Sequence, residues 1–244
     1  MKERKHLIGS LLIPLLFVMV LWIIHFTANE LDFDLSKYGL YPRKAEGIFG
    51  IITIPFIHGS WSHLINNSIP LLVLGWALFH FYPSLSWKTI FWIWLSSGIW
   101  LWISGRPSYH IGASGIVYGL ASFLFLSGWL RREKRVASLS LLIAFLYGSM
   151  WWGVLPVDPS ISWEGHLWGA LAGFALAWVY RKKGPQKEVY NWTEEEEDPD
   201  DELTKFALGE IEPPKEVQKP KRIVYVYRRK EETDENRPSD KNTN

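Results

Sequence analysis

Apolar stretches alternate with short polar or turn-forming segments over the first three quarters of the chain. The apolar runs cover about 7–27, 63–82, 87–104, 114–130, 136–155 and 164–181. A bilayer span needs about 20 mostly apolar residues, within a range of about 17–25. The pattern therefore predicts six transmembrane helices and an all-α integral membrane protein. The first run could be a signal peptide, but it is too long. Thr27-Ala28-Asn29-Glu30 also lacks a small-residue cleavage pattern, so a retained helix is expected. Ser96, Ser97, Gly98 and Ser104 dilute the third run.

Charge divides the chain. Residues 1–183 hold 15 basic and 8 acidic residues, a net of +7, and residues 184–244 hold 11 and 17, a net of −6. The expected organisation is a membrane domain over 1–183 and an acidic, disordered cytoplasmic tail over 184–244. In that tail Glu194 to Glu197 form a run, and Pro213, Pro214 and Pro220 interrupt the segment after it. Lys2, Arg4 and Lys5 precede the first span. Arg131, Arg132, Lys134 and Arg135 come after the fourth, and Arg181, Lys182 and Lys183 after the sixth. The positive-inside bias then puts both termini in the cytoplasm. Residues 28–62 are too long for a simple connector and mix apolar and turn residues, which suits partial packing into the membrane interface. The chain has no Cys, so disulfides and cysteine metal sites are excluded.

Three polar residues stand at span starts: His63, Ser114 and His166. Ionisable groups in a bilayer are costly, which makes a functional role the default hypothesis. With the N-terminus inside, spans two, four and six all begin on the outer side, which puts the three residues at a similar depth on the same side without requiring that they touch. Gly115 and Gly119 come after Ser114, and Gly165, Gly169 and Gly173 recur at every fourth position around His166. Such strips let helix backbones approach closely in lipid and would bring hydroxyl and imidazole together. His63 and Asn67 lie four apart, on one helix face. Helix N-termini carry partial positive charge and free N–H groups, which suits an oxyanion formed in acyl transfer.

These residues resemble the rhomboid intramembrane serine proteases over roughly 1–183. The resemblance rests on Gly112-Ala113-Ser114-Gly115, His63 with Asn67, His166-Leu167-Trp168-Gly169 running to Gly173, Tyr118, and Phe56-Ile57-His58. It implies a nucleophile, Ser114, and a general base, His166, without a third acid. It implies an oxyanion hole from His63, Asn67 and the Ser114 N–H. Tyr118 would pack its ring against His166, with Gly112 and Gly169 in support. Trp151 and Trp152 are candidates for a lateral gate or for an aromatic belt. Three departures stand out: Asn66 replaces the aromatic residue common before the span-two Asn, an acidic residue is missing from Trp76-Ala77-Leu78-Phe79, and Arg43-Lys44 is a loose substitute for the usual Trp-Arg pair.

The expected activity is endopeptidase cleavage of transmembrane protein substrates in or near the outer half of the bilayer. No cofactor, metal or nucleic acid is expected, and the location implied is a bacterial inner membrane. A non-catalytic relative that escorts membrane helices is the alternative; such proteins typically lack the Ser or the His. A transporter would need charged residues along a pathway, and Asp and Glu are nearly absent from the spans.

Overall fold

The computed structural model describes residues 2–132, 134–146, 153–184, 205–206 and 208–209. The chain divides into two units, Met1–Val189 and Tyr190–Asn244, and every element below belongs to the first. The expected tail lies almost wholly outside the described residues, and Trp151 and Trp152 lie outside them. Seven α-helices are described: α1 Lys2–Glu30, α2 Gly50–Thr53, α3 Trp61–Phe81, α4 Ser86–Ser104, α5 Ser114–Leu130, α6 Lys134–Leu146 and α7 Trp163–Val179. No strand occurs among the described residues, apart from one isolated bridge between Leu40 and His110. By length and composition alone, Leu7–Glu30 and Trp61–Phe81 qualify as membrane spans. The fifth apolar run, expected to 155, is helical only as far as Leu146 among described residues, and a turn occupies 153–155.

The helix α5 is the centre of the bundle, packing against α3, α4, α6 and α7. Its pairing with α7 is the most extensive, and the glycine strips explain it. A methyl group at Gly169 would overlap the Gly115 backbone, and one at Gly173 would overlap Gly119. Without Cβ atoms the two backbones touch, as small-residue seams in lipid allow. These contacts, together with the meeting of both helix starts and both helix ends, make α5 and α7 run parallel. α3 runs parallel to them: its start meets Gly112, and Tyr82 at its end packs on Phe123 at 5.7 Å. α4 runs the opposite way, with Ile93 against Gly119 and Ser104 bonded to Trp168.

Polar groups on the helices are mostly satisfied within their own helix. The hydroxyls of Ser96 and Ser104, which dilute the third apolar run, donate to the carbonyls four residues earlier, a common way to hide serine in an apolar helix. Ser68 and Ser122 do the same. α1 packs against α3, where Gly75 faces Pro14, and exposes Leu12, Leu16, Ile23 and Phe26. Such a face suits lipid rather than water.

The first loop is structured. Short 3-10 turns at Ser36–Tyr38, Ala45–Gly47 and Ile54–Phe56 surround α2. Arg43 fastens the loop to the end of α4: its guanidinium donates to the carbonyls of Gly105 at 2.8 Å and Ile103 at 3.3 Å, and its N–H to Trp102. The Trp102 indole returns a bond to the Lys44 carbonyl at 3.1 Å. Arg43 therefore anchors this loop by capping the carbonyls that end a helix, without a neighbouring Trp.

Candidate active site

The starts of α3, α5 and α7 meet at one end of the bundle and line a cavity of about 580 Å³. That is far above the ~10–15 Å³ needed to hold one water. His63, Asn67, Ser114, Tyr118 and His166 all line it. Ser114 is the first residue of α5, so no carbonyl four residues back belongs to its own helix. Its hydroxyl instead lies 2.8 Å from His166 Nε2. The other ring nitrogen, Nδ1, lies 2.8 Å from the Gly153 carbonyl. A carbonyl can only accept, so Nδ1 carries the proton and Nε2 is left to accept from the serine. Tyr118, one turn along α5, stacks its ring on the imidazole at 4.2 Å and 9°. The imidazole is thus oriented by a backbone carbonyl and an aromatic face.

His63 and Asn67 face the turn that leads into α5. Gly112 adopts φ of +108°, a left-handed conformation that favours glycine. The position has a second reason to be Gly: a Cβ there would sit 2.6 Å from His63 Nε2 and 3.5 Å from Asn67 Nδ2. Both side-chain nitrogens therefore converge beside the backbone two residues before Ser114. Asn67 is 4% exposed, and its Nδ2 finds no hydrogen-bond partner among the described residues. A buried donor without a partner costs about 1–3 kcal/mol. Such a group is available to an acceptor that enters the cavity. The Ser60 hydroxyl caps the start of α3 by accepting from the His63 N–H, which fixes His63 in the helix's first turn.

Further polar side chains ring the pair at the cavity rim. His110, 1% exposed, lies 2.6 Å from the Ser162 hydroxyl through Nδ1 and 3.2 Å from the Arg106 carbonyl through Nε2. Its backbone pairs with Leu40 in both directions. Glu164, 5% exposed, accepts from the Arg106 N–H at 3.2 Å and lies 3.6 Å from its guanidinium. Burial holds the His110 imidazole below its ordinary value and pushes His58, in the loop before α3, down to about 3, with repulsion from His63 and His25 adding to it. Both rings are therefore neutral near pH 7. Among the described residues, no group of three or more His, Asp or Glu gathers to hold a metal.

Sequence reasoning missed Gly153, Arg106, Ser162 and Glu164. The first acts through its backbone and leaves no trace in residue type. Glu164 had a signal, as a carboxylate at the head of an apolar run. Gly169 lies against Gly115, one turn below the pair.

The Rhomboid domain profile matches residues 45–183. A relative from Mycobacterium tuberculosis and one from Mycobacterium bovis, both described as uncharacterized proteins, are each 34% identical over 190 residues, covering 73% of this chain and 78% of theirs. One from Mycobacterium leprae, described the same way, is 31% identical over 194 residues, covering 73% and 74%. The chain therefore belongs to the rhomboid family, multi-pass membrane proteins that act on transmembrane substrates in the bilayer.

Proposed function

We propose that this protein is an intramembrane serine endopeptidase with a Ser114–His166 dyad. The observation that carries the reading is the 2.8 Å contact between Ser114 Oγ and His166 Nε2, with Nδ1 held by Gly153. Ser114 Oγ attacks the scissile carbonyl carbon as His166 Nε2 takes its proton. Asn67 Nδ2, His63 Nε2 and the Ser114 N–H donate to the oxyanion of the tetrahedral intermediate. The C–N bond breaks, and the leaving amine takes the proton from His166. Water then enters the cavity, gives a proton to His166 and attacks the acyl-enzyme. The C–Oγ bond then breaks, His166 returns its proton to Ser114 Oγ, and the new carboxyl terminus leaves.

The membrane domain spans 1–183 with six helices, and 184–244 is a cytoplasmic tail. Support for the count comes from α3, α4, α5 and α7, at 21, 19, 17 and 17 residues, within the range of about 17–25 for a span. Basic residues at the starts and ends of the spans put both termini in the cytoplasm of a bacterial inner membrane, and the dyad in the outer half of the bilayer. Substrates are transmembrane helices with small residues at the cleaved bond. Purified full-length chain in lipid vesicles should cut a single-span reporter, and Ser114→Ala should not. Equal cleavage by both would sink the reading.

A further inference from the structure

A second Ser–His contact sits directly beside the first. His110 is four residues before Ser114, and Ser162 is four residues before His166. The two contacts, His110–Ser162 and Ser114–His166, join positions with the same separation of 52 residues, with the residue types exchanged. The tautomer logic is also the same. His110 Nε2 faces the Arg106 carbonyl and must donate to it, so Nδ1 accepts from the Ser162 hydroxyl. Ser162 stands at the N-cap of α7, where a serine ordinarily accepts from its own helix, yet it makes no side-chain cap bond there. Its hydroxyl is engaged by His110 instead.

We infer that His110 and Ser162 form a positioning pair that holds Ser114 and His166 in register; the inference rests on the protease reading above. Each catalytic side chain projects from the first helical turn after its loop, and these loops would otherwise move independently. The contact ties them one turn upstream. Arg106 adds a second tie from the α4–α5 loop to Ile161 and Glu164. The Leu40 bridge holds His110 from the first loop. Misplacing a catalytic pair by about 1 Å can cost about 100-fold, so a strut at this point acts on turnover. Ser162 is not itself the nucleophile, because the donors of the oxyanion hole gather at Gly112, beside Ser114.

The test is Ser162→Ala beside Ser162→Thr, which keeps the hydroxyl, in full-length protein in lipid vesicles. Active sites are counted by fluorophosphonate labelling, so misfolded protein does not enter the rate. Ser162→Ala should lower kcat per labelled site roughly 10- to 100-fold with KM within about twofold, and Ser162→Thr should recover most of it. A kcat per labelled site equal to wild type in the Ala variant overturns the pair. So does a Thr variant no better than Ala, or labelling of Ser162 in a Ser114→Ala background. If wild type neither cleaves nor labels, the protease reading has failed and the pair has no dyad to position. Wild-type turnover unaffected in Ser162→Ala rejects the pair alone.

Discussion

The helices α5 and α7 run side by side, and their two ends treat polar groups in opposite ways. At the far end, Arg131 is 7% exposed and closes the bundle. Its guanidinium donates to Ser127 and to the carbonyls of Tyr180 and Lys183, and lies 5.0 Å over the Tyr82 ring. It ties the ends of α3, α5 and α7 by capping carbonyls that lack helical partners. At the near end, the starts of the same helices surround a cavity, and Asn67 Nδ2 is buried without a partner among the described residues. The Arg131 guanidinium gives three hydrogen bonds, although its Nε has no partner among the described residues, whereas Asn67 Nδ2 gives none; on the protease reading the first serves stability and the second turnover. The glycine seam between the ends serves both.

The seam is the place where both ends should break together. Gly169→Val drives a side chain into the Gly115 backbone, and the helices cannot close around it. Fluorophosphonate labelling and thermal stability should both collapse; a variant that keeps wild-type labelling would show that the seam does not set the dyad. Asn67→Leu separates the ends. Loss of one oxyanion donor should lower kcat by about 10²–10³, while Tm stays level or rises because an unpartnered buried donor is gone. A matching fall in Tm would make Asn67 structural.

The opposite dissociation belongs to Arg131→Met. Removing charged hydrogen bonds at this end should cost about 1.5–3 kcal/mol in stability, read as a lower Tm, with kcat per labelled site unchanged. A specific loss of turnover would mean that the two ends are coupled. Gly9→Ala, on α1 with open space around it, is the smallest change. It should add at most about 0.5–1 kcal/mol through helix propensity and leave turnover alone.

Much of the seam was legible in residue order because a missing Cβ has a single structural meaning at a four-residue repeat. Gly165, Gly169 and Gly173 could serve close contact on one face only, and Gly115 and Gly119 supplied the matching face. His63 and Asn67 were legible for a similar reason, since helical spacing puts them on one side. The ties between loops were not. His110 and Ser162 meet across 52 residues, and neither sits in an apolar run that would mark it as costly. Arg43 reads in sequence as a loose substitute within a loop, yet its partners are backbone carbonyls at the end of α4. Gly153 likewise acts through a carbonyl, which every residue possesses. Side chains that pair with backbone, or across two loops, have no periodicity from which to read them.

The central claim is that Ser114 is a nucleophile made reactive by His166. The direct measurement is peptide mass spectrometry of full-length protein after fluorophosphonate treatment in lipid, for wild type, Ser114→Ala and His166→Ala. The expected result is one adduct, on Ser114, in wild type and none in either variant. An unlabelled wild type, an adduct on another residue, or undiminished labelling of His166→Ala would contradict it.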